Sequence, residues 1–436
     1  MLKQANWTFD LMVNKMNEIY KKYTDVLHEE LVAALGCTEP IAIGYAGAVA
    51  RRELGQFPER LAVKASGNII KNVKGVVVPN SGGQKGIAPA AILGALGGDP
   101  DKKLEVLSTV TPEDIEKSRI LNTEGMCAVS LLSGVTNLHI ILTAVGGGHT
   151  VVVEIAESHT NIVRLEKDGV ILQGGAYTPV TDNADHSRDF MTVEGILDFA
   201  ENCGLDAVKD VLGRQIEYNS RISREGLSKP YGVNVGKSLL DTRGDDVRTR
   251  ARAHAAAGSD ARMSGSDLPV VINSGSGNQG ITVSMPVIVY AQELGVSREK
   301  LYRALLISNL VALHQKSGIG KLSAYCGAVS AACGSGAAIA WLQGATLDQI
   351  NSAITNTLGN ISGMTCDGAK PSCAAKIASA VDAALMGSDL AMQGKAFAAG
   401  EGIVKDTAEE TIRCVGRMAR EGMRSTDEEI IRIMLV

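Results

Sequence analysis

The apolar residues of this chain fall into two rhythms. Between Leu61 and about Leu172 they come in short runs rich in Val and Ile: LAVKA (61–65), KGVVVP (74–79), LHIILTAV (138–145), HTVVVEI (149–155) and TNIVRLE (160–166). Runs of that length, carrying β-branched residues and separated by Gly, Asn and His, predict the strands of a mixed sheet. Ala-rich Ile87–Leu96 and charged Pro112–Leu121 have helical spacing and are expected to cover one face of that sheet. Past Gly174 the rhythm changes. YTPVTDNADHSRD (177–189) reads as a polar connection, and Val193–Glu201 and Asp206–Arg214 read as helices. From Gln279 onward nearly everything is helical, with Ser297–Ala312, Ser323–Leu342, Leu347–Leu358 and Ala374–Met386 the clearest segments. The first 23 residues alternate apolar and charged positions as an amphipathic helix does.

The expected fold class is α+β. A mixed α/β region with a small sheet spans 1–180 and contains LGCTEP (35–40); a predominantly helical region spans 181–436. The helical segments are crowded with Ala, Gly and Ser, and only 4% of all residues are aromatic, so the bundle must pack by close backbone approach rather than around large rings. The helix carrying LGCTEP can pack back on that bundle, so the two regions need not be independent.

A chain of 436 residues that is 45% hydrophobic buries one large core or two moderate ones, which excludes disorder. A net charge of −5 without any basic block gives no electrostatic reason to bind nucleic acid or an anionic membrane. The N-terminus lacks the apolar core of a secretory signal, and stretches such as Val283–Tyr290 are too short or too interrupted to cross a bilayer. The expectation is a cytoplasmic protein with a small-molecule partner, neither nucleic acid nor membrane; self-association into a homo-oligomer is left open.

Eight cysteines in a chain without a signal are expected to be reduced thiols. Cys127, Cys203 and Cys414 stand alone in apolar or helical contexts and read as packing residues. Cys326, Cys333, Cys366 and Cys373 lie together in the helical half. Cys373 follows Cys366 by seven positions, with Gly and Pro between them, and a loop of that composition can turn two soft thiolates toward an iron–sulfur or zinc centre. No compact CxxC run accompanies them, so buried packing thiols are an equally good reading of the spacing alone. Asn273, Ser274, Ser276 and Asn278 place amide and hydroxyl groups on a glycine-rich turn ahead of a helix, a setting for a substrate carboxylate or simply for a cap. His149, at a strand start, can orient substrate or serve only its turn. Arg262 can pair with a carboxylate or form a helix-end ion pair.

Three stretches then carry a resemblance: NSGSGNQGITVSMPVIV (273–289), YCGAVSAAC (325–333) and GMTCDGAKPSC (363–373). Residues 266–384 resemble the alpha region of the iron–sulfur L-serine dehydratases, and the whole chain, with LGCTEP, is similar to the L-cysteine desulfidase group. The resemblance implies a [4Fe–4S] cluster held by Cys366, Cys373 and a third cysteine. Cys326 is favoured over Cys333 because the family's first ligand stands just ahead of an Ala-rich helical stretch; the 366–373 loop is shorter here than in the serine dehydratases. Three ligands would leave one iron open as a Lewis acid. Cys37 corresponds to the proton-accepting cysteine of the desulfidase group, with Thr38 beside it at the substrate. A thiol of ordinary pKa about 8.5, lowered by a helix N-terminus or iron, would supply a thiolate. The implied activity is breakdown of L-cysteine to pyruvate, ammonia and sulfide without pyridoxal phosphate, with L-serine dehydration as the alternative. The rival class is a non-enzymatic cysteine site that senses metal or oxygen, although no DNA-reading element supports a regulator. A pyridoxal-phosphate lyase is a third reading, for which no lysine has a convincing setting.

Overall fold

The computed structural model describes residues 2–178 and 186–435 and has an α+β fold. Its strands are β1 (Ala33–Leu35), β2 (Arg60–Ser66), β3 (Cys127–Leu132), β4 (His139–Gly146), β5 (His149–Ala156), β6 (Ile162–Lys167), β7 (Val170–Gly174) and β8 (Pro269–Val271). Six of them form one sheet in the order β3-β2-β4-β5-β6-β7, with β2 and β3 parallel and every other pair antiparallel. Strict alternation buries Ile140, Leu142 and Ala144 of β4, and Val151, Val153 and Ile155 of β5, on one face. That face is covered by α2 (Thr38–Leu54) and, toward β2 and β3, by α4 (Ile87–Gly97).

The remaining helices are α1 (Leu2–Glu30), α3 (Gly67–Lys74), α5 (Pro112–Thr123), α6 (Val193–Asn202), α7 (Lys209–Ser228), α8 (Val235–Arg243), α9 (Val247–Met263), α10 (Gly277–Glu293), α11 (Arg298–Ile319), α12 (Gly327–Leu342), α13 (Leu347–Ile361), α14 (Cys373–Met392), α15 (Ala408–Arg417) and α16 (Arg424–Leu435). Their crossings show why small residues are needed. A Cβ on Gly94 of α4 would lie 2.0 Å from the Gly44 carbonyl of α2, and one on Gly226 of α7 would lie 1.9 Å from the Ala257 carbonyl of α9. Gly334 of α12 meets the Ser308 carbonyl of α11 in the same way, at 2.3 Å. Backbones in van der Waals contact replace the aromatic filling that the chain lacks. No helix among the described residues is long and apolar enough to cross a membrane.

Two expectations are corrected and two features are added. KGVVVP is not a strand: Val77 makes a single bridge with Lys85, while Val76 and Val78 are fully buried and spend the run on side-chain packing. Strands β3 and β7 were not expected; their side chains are mostly exposed, so neither shows a buried alternation. Helix α12 begins at Gly327, because Tyr325 is bridged to Thr365 and holds the preceding residues extended. Helix α9 carries an Arg/Ala alternation, RTRARAHA (248–255), whose period of two hides its helical face.

The 177–189 connection lies largely outside the described residues, which omit 179–185. Across it, β1 pairs antiparallel with β8, Ala33 opposite Val271 and Leu35 opposite Pro269. One continuous apolar core includes Leu31 and Ile41 on one side and Val270, Ile281 and Leu310 on the other.

Candidate active site

The site grows from the β1–β8 pair. Directly after β1, Gly36 adopts a left-handed φ of 53°, and a Cβ there would fall 2.1 Å from Pro79 Cγ, so only glycine fits. Cys37 then caps α2. After β8, Asn273 and Ser276 exchange backbone hydrogen bonds of 3.1 and 3.0 Å around a two-residue turn. Both central residues have positive φ, 48° at Ser274 and 73° at Gly275, as in a type I′ turn. A serine in that conformation is strained, which is typical of backbone held for a purpose. The Thr38 hydroxyl lies 2.9 Å from the Gly275 carbonyl and ties the two segments together across 237 positions.

Glu39 is the polar centre of this junction. The Cys37 thiol donates to its Oε2 at 3.0 Å, the Thr38 hydroxyl lies 3.1 Å from the same oxygen, and Asn72 Nδ2 donates to Oε1 at 2.9 Å. His159 Nε2 stands 4.0 Å from Oε1, and its ring rests on Gly275. Burial raises the Glu39 pKa, but His159 and the Cys37 hydrogen bond outweigh it and hold the carboxyl down at about 2. For Cys37 the balance is reversed. Burial and the Glu39 charge push its thiol well above the ordinary range, against the pull of Arg262. The expected lowering by the α2 N-terminus therefore does not prevail, because burial of the thiol, and then the full charge of the carboxylate beside it, outweigh the partial charge of a helix end.

Arg262, in the last turn of α9, is 2% exposed. A Cβ on Gly277 would lie 2.3 Å from its Nε, so the guanidinium presses on the first residue of α10. Its Nε has no hydrogen-bond partner, and the same holds for His159 Nε2, Asn273 Oδ1, Asn278 Oδ1 and Gln279 Oε1. Buried polar atoms are almost always paired, so this many orphans around one turn mark a place built for a polar ligand. Asn273 uses its amide nitrogen on Asn309, and Asn278 Nδ2 rests 3.6 Å from Met263 Sδ. Ser276 occupies the N-cap position of α10 without capping it through its side chain.

The cysteines approach from the other side. Cys37, Val76 and Met263 form a small buried cluster against which Cys373 and Ala369 pack. Cys326 N donates to the Met364 carbonyl at 3.0 Å and Cys366 N to the Ala324 carbonyl at 2.6 Å, flanking the Tyr325–Thr365 bridge. Side-chain alternation on that short ladder puts Cys326 and Cys366 diagonally on one face and Tyr325 on the other. Burial first, then the charges of Cys366 and Cys373, push the Cys326 thiol up to about 12. Cys373 is raised by burial and by Cys366. Gln279 joins the two halves: a Cβ on Gly327, next to Cys326, would lie 2.5 Å from its Cδ. Among the described residues no three His, Cys, Asp or Glu side chains close on a single metal ion.

Two candidates stand elsewhere. His149 lies at the β4–β5 hairpin, half-exposed and 2.7 Å from Asp168, at the opposite end of β5 from His159. Cys333 is buried in α12 with its sulfur toward the Ile354 carbonyl of α13. Conversely, Glu39, Asn72 and His159 were not anticipated as site residues. Glu39 lies in the first turn of α2, where an acid favours a helix start whatever else it does, and nothing local distinguishes His159 from a turn residue. Lys316 was missed as well: burial brings it down to about 8, with Cys366, Cys326 and Glu30 pulling the other way.

The chain is similar to known proteins over most of its length. The serine dehydratase alpha chain model matches residues 101–432. A UPF0597 protein of Lachnoclostridium phytofermentans is 55% identical over 419 residues, covering 96% of this chain and 100% of its own. UPF0597 proteins of Treponema denticola and Bacteroides fragilis are 48% and 37% identical, each covering 95% of this chain and 98% and 97% of their own length.

Proposed function

Because the chain belongs to the serine dehydratase alpha-chain family, a family of lyases, we propose that it removes the β-substituent of a small L-amino acid, L-cysteine ahead of L-serine, to give pyruvate and ammonia. L-cysteine is placed first on the resemblance of LGCTEP. The observation that carries the reading is that Cys373 packs against the small buried cluster of Cys37, Val76 and Met263, beside a buried, under-bonded Arg262.

Cys326, Cys366 and Cys373 are assigned to a [4Fe–4S] cluster. They fit such a group on two counts: the donors are soft, and the charge of Cys366 adds to burial in raising the thiols of Cys326 and Cys373, so the site gains from a cation. Two of them sit diagonally on a ladder, roughly 7–8 Å apart by strand geometry, a span suited to a polynuclear centre rather than one ion. When bound, a cluster with three protein ligands supplies an open iron that acts as a Lewis acid toward the substrate.

The protein's own side chains do the rest. Arg262, with Ser274, Ser276 and the first turn of α10, receives the substrate carboxylate. The unpartnered oxygens of Asn273 and Asn278 accept hydrogen bonds from the substrate ammonium. Cys37 is assigned to take the α-proton, which requires a further positive charge beside it, such as a bound cluster would bring, to overcome the burial and the Glu39 charge that keep its thiol protonated; Glu39, braced by Asn72 and His159, fixes where the sulfur points. The β-sulfur or β-oxygen leaves with its bonding pair, and the aminoacrylate released tautomerises and hydrolyses in water. Anaerobic assay of the purified chain with both amino acids tests this. A serine rate far above the cysteine rate reverses the substrate order. No pyruvate from either, with zinc and no acid-labile sulfide in the protein, would replace the lyase by a sensing cysteine site.

A further inference from the structure

The C-terminal helix α16 is far in sequence from every residue used above, yet it reaches the loop that carries Cys366. Lys71 of α3 is fully enclosed, with its side chain 1% exposed. Its ammonium donates to Asp427 Oδ1 of α16 at 2.5 Å and to the Cys366 carbonyl at 3.3 Å. Asn68 Nδ2 holds the other Asp427 oxygen at 2.6 Å. The backbone of Lys71 takes part too. Gly368, two residues beyond Cys366, has φ 96°, and a Cβ there would fall 2.3 Å from the Lys71 carbonyl. The rest of α16 is seated on α3: Ile431 presses on Gly67, and Lys74 donates to the Met434 carbonyl. Asn68, Ala324 and Asp427 all line one groove of about 1110 Å³, so this seam adjoins the segment whose Ala324 carbonyl accepts the Cys366 amide.

A buried lysine needs a buried anion, and one carboxylate would meet that need anywhere along its reach. Here the ammonium is shared between that carboxylate and the carbonyl of a candidate ligand. We propose that Lys71 and Asp427 are positioning residues for Cys366, and that α16 is the clamp that holds the Cys366–Cys373 loop in register with Cys326. The local ion pairs of Lys370 and Lys376 with Asp367 brace the same loop from within. Lys71 and Asp427 fix it to the rest of the molecule.

The consequence for iron rests on the cluster reading above; the consequence for the loop does not. Both are read in the full chain, comparing wild type with Lys71→Met, Asp427→Leu and the double variant, and with Glu429→Ala, an exposed position of α16 outside that groove, as control. The single variants strand a buried charge and are expected to melt lower. The double variant removes both charges and regains most of the melting temperature, which separates charge burial from positioning. In metal-free double variant the Cys366 amide is expected to exchange about tenfold faster or more, with α12 unchanged. In anaerobically loaded protein, iron should be lost to a chelator about 10–100-fold faster than from wild type. Unchanged Cys366 exchange in the double variant overturns the inference. If wild type takes up no iron, the cluster reading fails, and exchange still decides the clamp.

Discussion

Two buried carboxylates in this chain sit in opposite electrostatic states. Glu39 is held at about 2, below its ordinary 4.5, so its contribution to stability is complete above pH 4.5 and is lost as pH falls through that range toward 2. Asp260 of α9 is fully buried; its Oδ2 accepts from Gly236 N at 3.0 Å while Oδ1 has no partner. Burial lifts it from 3.8 to about 6, so the folded state favours the proton and stability falls as pH rises from 3.8 through 6. Asp260→Asn keeps an acceptor for Gly236 without the charge. It should stabilise the protein by roughly 1–3 kcal/mol at pH 7 and by little at pH 4, read from urea unfolding at both. Equal destabilisation at both would show that the amide cannot use the site. For catalysis, Cys37→Ser should lower kcat/KM by about 10²–10⁴ with iron content kept. Loss of iron instead would make Cys37 a ligand. The sequence made Cys37 and Arg262 legible through residue type and motif. Glu39 and His159 were not, since their partners lie 33 and 120 positions from Glu39 and no local pattern records that.

At the scale of elements, glycine has opposite meanings within one helix. In α7, Gly226 lies against the α9 backbone, whereas a Cβ on Gly213 would meet only the Tyr302 hydroxyl at 3.5 Å. Gly226→Ala should therefore cost about 1–3 kcal/mol or more by forcing the helices apart. Gly213→Ala should gain about 0.5–1 kcal/mol from helix propensity. Urea midpoints of the two variants moving the same way would contradict this packing. The small-residue composition announced such crossings but not which glycine makes them. KGVVVP shows the converse. Its valines have strand propensity, but Val76 is buried with Cys37 and Met263 and Val77 makes only a single bridge, so side-chain packing outweighs ladder formation.

At the scale of the whole molecule, the candidate site exists only because distant segments close on it. LGCTEP, the 273–276 turn, the 325–326 segment and the 366–373 loop belong to different elements, and the β1–β8 pair, the Thr38 hydroxyl and Gln279 hold them together. A group bound at their meeting point is bound by the folded chain alone. The cluster-loaded protein is thus expected to melt above the chelator-treated protein in anaerobic calorimetry. Coincident melting curves for loaded and metal-free protein would mean that iron sits away from these segments.

The α+β class, the sheet of short strands, the close-packed helical half and the cysteine- and glycine-rich make-up of the candidate site were all determined by the sequence. Each of these depends on periodicity, composition or spacing over a few residues, and local steric and solvation rules translate such patterns directly. The tertiary structure alone decided that Glu39 organises Cys37, that His159 rather than His149 faces the site, that Cys333 packs inside the bundle, and that α16 reaches the Cys366 loop. Those outcomes depend on which backbones can approach closely and which buried charges must find partners, and both are settled only when the whole core is packed.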